Sequence, residues 1–372
     1  MASNPIQALN DFGQSVWLDN INRTMITSGG LKDRIAEGLR GMTSNPSIFE
    51  KAICKSSDYD AEIEKIRGKG KSVFEVYDHL TVRDIQDACD LFRGVHEATS
   101  GLDGYVSLEI NPKLALKTQE TIDEGKRLHE RVDRDNLMLK VPATEEGFPA
   151  VEDLTAAGVN VNVTLIFSVG QYAKTAEAYL RGVKRYIADG GDARSVASVA
   201  SVFVSRVDSA VDKMLDARAA QAGDESARKE AQSLRGKAAC ANAALIYKRY
   251  LDILYSDSFK HIAADGARVQ RVLWGSTSTK DPAYSDIKYV TELIGKGTVN
   301  TLPDATYKAF MDHGVVEEAL TPDVTEPRQI MRRLAEAGIS IDSVCARLLD
   351  DGVVQFETAF DSLLASIGEK LA

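Results

Sequence analysis

Eight short β-favouring runs, each bounded by turn residues, recur along the chain: VWLD at 16–19, GMTSN at 41–45, YVSLEI at 105–110, LMLKVPA at 137–143, VNVTLIF at 161–167, SVASVF at 198–203, VQRVLWGS at 269–276 and TVNTLP at 298–303. Between them the hydrophobic period lengthens to that of a helix. The stretches LALKTQETIDEGKRLHERV from 114, EEGFPAVEDLTAAG from 145 and QYAKTAEAYLRGVKRYIADGG from 171 carry apolar residues at i, i+3 and i+4, and the last two close on glycines. Eightfold strand–helix alternation predicts the α/β class and, within it, a single (β/α)8 TIM barrel. A minimal barrel takes about 250 residues, so roughly 120 of this chain belong to insertions or tails. The pattern places an extra charged helix pair at 51–104, two or more long helices at 207–268 and a helical tail at 324–372. No linker-like composition break or short repeat separates these parts, so residues 1–372 read as one domain with helical decoration.

Strand parity then sorts side chains. In a barrel strand alternate residues face the surrounding helices or the interior, and an interior residue near the carboxyl end lies at the mouth, where barrel enzymes do their chemistry. Val16 and Leu18 face out, leaving Asp19 inside; Val106, Leu108 and Ile110 face out, leaving Ser107 and Glu109. Leu137, Leu139 and Val141 turn Lys140 inward, and Val161, Val163 and Leu165 do the same for Asn162 and Thr164. Asn45 on the second strand and Ser201 and Phe203 on the sixth complete the set.

Taken singly, each has a structural reading: Asp19 as a cap, Glu109 and Lys140 as a buried ion pair, Asn45 before Pro46 as a turn, Thr164 and Ser201 as hydroxyls bonded to backbone carbonyls. Their shared parity favours function, because buried polar groups cost several kcal/mol unless paired.

Composition narrows the partners. A net charge of −10 argues against nucleic-acid binding, and no apolar run approaches the roughly 20 residues that span a bilayer. The amino-terminal MASNPIQALNDFGQ lacks the pattern of an export signal, and four widely spaced cysteines fit reduced thiols in the cytoplasm. The five histidines show no ligand spacing, so no metal is expected. RGKGKSV at 67–73 imitates a phosphate loop, but Lys65 stands where its first glycine is required, so it reads as a solvated basic turn. Asn162-Val163-Thr164 is formally a glycosylation sequon, without meaning on an interior strand.

At these residues the sequence resembles the transaldolase family, in its longer bacterial form. GMTSNPSIFEKAI is similar to the second-strand signature, NLMLKVPATEEGFPAVEDLTAAGVNVNVTLIFS to the signature holding the Schiff-base lysine, and SVFVSR to the sixth-strand motif; the likeness runs from about residue 14 to 310. It implies an enzyme that passes a dihydroxyacetone unit between phosphorylated ketoses and aldoses without a cofactor. Carried over, Lys140 is the nucleophile, Asp19 the acid/base for carbon–carbon cleavage, and Glu109 with Thr164 the holders of a catalytic water. Asn45, Asn162, Ser201 and Phe203 bind the dihydroxyacetone end, and Arg206 binds the phosphate. Where many relatives carry a serine and an arginine after strand seven, GSTSTKDPAY offers Thr277, Ser278 and Lys280, with Lys280 as the substitute cation.

A lysine nucleophile must be neutral, and a carboxylate in direct contact opposes this, so Glu109 is expected to act on Lys140 through water. The rival readings are a Schiff-base aldolase that releases dihydroxyacetone and a noncatalytic phosphosugar-binding barrel. Shorter fructose-6-phosphate aldolases carry Gln and Tyr where this chain has Glu109 and Phe203, which favours transfer. The expected assembly is a monomer or homodimer.

Overall fold

The computed structural model describes residues 4–372. Eight strands, β1 (Gln14–Asp19), β2 (Gly41–Thr43), β3 (Val106–Glu109), β4 (Leu137–Pro142), β5 (Val161–Ile166), β6 (Ser198–Phe203), β7 (Arg271–Gly275) and β8 (Thr298–Leu302), follow one another around a closed barrel. All neighbours are parallel, and β8 returns to β1 with Gln14 opposite Thr298 and Leu18 opposite Leu302. The eight predicted runs fall on these strands to within a residue or two. One boundary carries a correction: β2 stops at Thr43, so Asn45 is not a strand residue.

Parity explains the packing. Val16, Leu18, Val106, Leu108, Leu139, Val141, Val161 and Val163 join the hydrophobic layer between the barrel and its helices. Trp17, Tyr105, Met138, Ala197, Val199, Leu273 and Val299 form a separate cluster that plugs the barrel interior. The plug requires Gly41, because a Cβ there would lie 2.6 Å from the Trp17 ring. Its polar edge is satisfied internally: Asp103 accepts from Ser15 Oγ at 2.7 Å, from Trp17 Nε1 at 3.2 Å and from Arg271 at 2.8 Å. With the floor closed and its polar groups paired among themselves, the other polar interior residues converge at the carboxyl ends.

The region 51–104 differs from the predicted helix pair. Three helices lie between β2 and β3: Pro46–Cys54, Asp60–Ile66 and Val73–Ala98. The third packs on β3 and belongs to the barrel's outer layer, so the two shorter ones are the decoration. The GKS turn ends in the cap of that third helix. Ser72 accepts from the Glu75 backbone N–H and Glu75 accepts from that of Ser72, a reciprocal capping box.

Four helices fill the segment after β6: Ser205–Gln221, Glu225–Leu234, Ala238–Leu254 and Asp257–Ala263. Beyond β8 come Asp304–His313, Thr325–Glu336 and the long helix Ile341–Leu371. This last helix packs on the helix after β2, the short turn Pro112–Leu114 after β3, β5 itself and the helix after β6. It therefore runs across the mouth.

Candidate active site

Glu109, Lys140 and Asn162 are register partners on β3, β4 and β5 and stand side by side on the inner wall. Lys140 is 4% exposed and Glu109 6%, so both are almost sealed from water. The Lys140 Nζ donates to the Ser44 carbonyl at 3.1 Å and lies 3.5 Å from Glu109 Oε2. That second contact is a loose ion pair, too long to be a good hydrogen bond, and Glu109 Oε2 has no hydrogen-bond partner among the described residues. Burial pushes the Glu109 carboxyl up to about 7, against the opposing pull of Lys140.

Asp19 faces the same space. Its Oδ1 accepts from Thr43 Oγ1 at 2.8 Å, and Thr43 lies 3.0 Å from Thr301 Oγ1 on β8. Burial raises the Asp19 carboxyl above its usual range, while Lys140, the Thr43 hydrogen bond, Lys51 and Lys280 pull it down. Two carboxyls whose affinity for protons is raised by burial thus share one mouth with the lysine, and Glu109, pushed up to about 7, is suited to exchange protons near neutral pH.

A chain of hydrogen bonds lies beside them: Ser201 Oγ donates to Asn162 Oδ1 at 2.6 Å, and Asn162 Nδ2 donates to Ser107 Oγ at 3.0 Å. The chain fixes the amide's orientation. Thr164 Oγ1 is buried without a partner among the described residues. Asn45 lies at the rim, where its Oδ1 accepts from the Ile48 N–H at 3.0 Å and caps the helix Pro46–Cys54, while its Nδ2 makes no hydrogen bond among the described residues. The turn-forming reading of Asn45 thus describes its oxygen and leaves its nitrogen available.

Phe203 packs edge-on against Phe167 with centroids 5.7 Å apart and contacts Phe356 of the long final helix. The Arg206 guanidinium lies over the Phe203 ring, 5.1 Å from its centroid, and burial alone lowers its hold on its proton. Among the three residues expected after β7, Thr277 departs from the phosphate role. It is fully buried and its hydroxyl donates to the Thr301 carbonyl at 3.0 Å, tying the loop to β8. Lys280 is exposed and donates to Ser278 Oγ at 2.6 Å.

Sequence reasoning missed four groups. Thr43 and Thr301 had the right parity to be found. The Ser44 carbonyl, held by the Ser44 hydroxyl bonding to the Ser107 carbonyl at 2.7 Å, carries no side-chain signal. Ser276 follows β7 directly in a left-handed conformation at φ 53°, with its hydroxyl 3.0 Å from that of Ser205, the residue before Arg206. Its place one residue past a strand end was the available clue.

A buried lysine between two carboxyls, at the carboxyl end of a closed α/β barrel, defines a barrel enzyme. The chain belongs to the transaldolase/fructose-6-phosphate aldolase family, whose sequence profile matches residues 16–367. A transaldolase of Trichodesmium erythraeum (strain IMS101) is 46% identical over 374 residues, covering 100% of this chain and 98% of that one. That of Thiobacillus denitrificans (strain ATCC 25259 / T1) is 47% identical over 357 residues, covering 96% and 97%. That of Saccharopolyspora erythraea is 46% identical over 368 residues, covering 98% and 97%. The name these full-length relatives share is that of a transferase.

Proposed function

We infer that this enzyme is a transaldolase, moving a dihydroxyacetone unit from sedoheptulose 7-phosphate or fructose 6-phosphate to glyceraldehyde 3-phosphate or erythrose 4-phosphate in the non-oxidative pentose phosphate pathway. The observation that carries the mechanism is Lys140: a buried amine bonded to a neutral carbonyl and only loosely paired with Glu109. Such an amine is held for chemistry more than for charge pairing.

In this reading Lys140 adds to the ketose C2 carbonyl, water leaves, and a protonated imine forms. The Asp19 carboxylate takes the C4 hydroxyl proton, the C3–C4 bond breaks, and its electron pair moves into the imine to give an enamine on Lys140. The shortened aldose phosphate departs. Addition of the enamine to the acceptor aldehyde reverses these steps, Asp19 returns the proton, and water hydrolyses the imine. Glu109 Oε2 and Thr164 Oγ1, both buried without a hydrogen-bond partner among the described residues, support holding that water between them. Asn45 Nδ2, Asn162 and Ser201 bind the dihydroxyacetone hydroxyls, and Phe203 walls the site. Arg206, with Ser276, Ser278 and Lys280 nearby along the rim, receives the phosphate. No metal or cofactor enters these steps, and no His/Cys/Asp/Glu cluster among the described residues has the form of a metal site.

The test is acceptor dependence. Fructose 6-phosphate should be consumed only when erythrose 4-phosphate is present; consumption without acceptor would make the protein an aldolase, and none with it would make it a binding barrel. Arg206 gives a second expected result. A guanidinium grips phosphate bidentately, so Arg206→Ala should lower kcat/KM for fructose 6-phosphate by about 2 to 4 kcal/mol, with Arg206→Lys recovering only part. Unphosphorylated fructose should respond little. Equal proportional losses on the two sugars would return Arg206 to a packing role.

The same reading places the enzyme in the cytoplasm as a monomer or homodimer working as one domain. Four free thiols support that compartment, and no helix among the described residues is long and apolar enough to cross a membrane.

A further inference from the structure

The final helix leaves Lys140 and Glu109 nearly sealed, so a substrate must enter beside it. On one side a cleft of about 730 Å³ opens between this helix and Ser205–Gln221. Its inner end is Arg206, and its outer end is lined by Lys213, on the same helical face, and by Arg347, opposite on the final helix. Arg206 and Lys213 are seven residues apart, about 10 Å along a helix axis. None of the three cations forms an ion pair among the described residues, so their charge in the cleft is not neutralised by a direct partner. Asp351 is the one carboxylate lining the cleft, so three positive charges face one negative. Two carboxylates beside Lys213 along the chain are engaged elsewhere, Asp212 with the Gly236 N–H and Tyr284 and Asp216 with Arg235, while Asp350 lies three residues from Arg347 outside the cleft lining.

We propose that Lys213 and Arg347 form an outer anion site, which binds the phosphate monoester of an incoming sugar phosphate before it passes to Arg206. This rests on reading Arg206 as the inner phosphate ligand. A cleft with low-dielectric walls concentrates the field of its charges, so two exposed cations there attract a dianion more strongly than on an open surface. The separation of about two helical turns lets the sites be occupied independently. Lys213 and Arg347 project from helix surfaces, and glutamine matches them in helix propensity, so Lys213→Gln and Arg347→Gln leave the fold intact.

The experiment is calorimetric titration with inorganic phosphate at low ionic strength. The wild type is expected to bind two phosphates and Arg206→Ala one. Adding Lys213→Gln and Arg347→Gln to Arg206→Ala should weaken the remaining site at least about tenfold, and rising salt should weaken it in the parent. Fructose 6-phosphate should displace that phosphate. No binding by Arg206→Ala, or binding unchanged by removing Lys213 and Arg347, overturns the outer site while leaving the inner one standing. Phosphate that fructose 6-phosphate fails to displace also overturns it, the site then being one for the free ion. If Arg206→Ala binds as much phosphate as the wild type and the Lys213→Gln/Arg347→Gln protein binds none, the outer site stands and the reading of Arg206 fails.

Discussion

Lys140→Met is expected to lower kcat by at least about 10⁴-fold, as loss of a covalent nucleophile does. Methionine keeps the length and apolar stem of the lysine while removing the amine, so the wall of β4 stays filled. The structure also separates lost chemistry from lost folding. Glu109 would lose its only cationic neighbour among the described residues, but a carboxyl already pushed to about 7 by burial can stay protonated, which avoids an uncompensated buried charge. The melting temperature should therefore change far less than activity. Borohydride added with fructose 6-phosphate should fix a three-carbon adduct on Lys140 of the wild type and none on the variant, read by peptide mass mapping. An adduct on another lysine, or residual turnover above about a hundredth, would reject Lys140 as nucleophile.

The second large effect is at Asp19. Asp19→Asn should reduce kcat by about 10²- to 10³-fold, the range for a lost general acid/base, yet borohydride should still trap fructose 6-phosphate on Lys140, now mainly as the uncleaved six-carbon adduct, because imine formation does not require this carboxylate. Asparagine can still accept from Thr43, so the geometry survives. A stability readout has the opposite sign. Asp19 has a raised folded pKa, so its contribution to stability is full below the unfolded carboxylate value and is lost as pH rises through the folded one. At neutral pH the wild type thus carries a desolvation penalty that Asp19→Asn lacks. The variant should melt no lower at pH 7, and the difference should shrink in acid. A kcat above a tenth of wild type removes Asp19 from the acid/base role.

Much of this site was legible because strand alternation is rigid. Once Leu137, Leu139 and Val141 are assigned outward, Lys140 has one direction left, and the same holds for Asp19, Glu109 and Asn162. The parity rule failed where the backbone leaves the strand. Asn45 lies two residues past β2, and its position is set by capping. Within β5, pairing with β6 shifts between Val163 and Ile166, and Leu165 takes φ 59°, a bulge at a residue that rarely marks one. Nothing in the letters VNVTLIF announces it. Packing holds Leu165 there: it lies against Gly352 of the final helix, where a Cβ would approach its side chain to 2.9 Å.

The final helix shows the other limit. Its amphipathic pattern predicts a buried face but not the surface that face meets, so its course over the mouth was invisible. The Glu109–Lys140 separation was out of reach for a related reason, since sequence gives the neighbours of a side chain but not a distance of 3.5 Å.

The pairing of β8 with β1 has a consequence for the order of events during folding. Asp19 ends β1, its partner Thr43 touches Thr301 on β8, and Thr277 after β7 is tied to the same residue. Helices and neighbouring strand pairs form from contacts close in sequence, whereas this seam joins segments at opposite ends of the barrel and waits on the slowest loop closure. An unclosed sheet of β1–β4 already contains the acid, the lysine and the glutamate, yet has no ring to aim them at one point. Catalysis is therefore a reporter of ring closure: on refolding, helical signal is expected to return first and turnover only when the first strand meets the last.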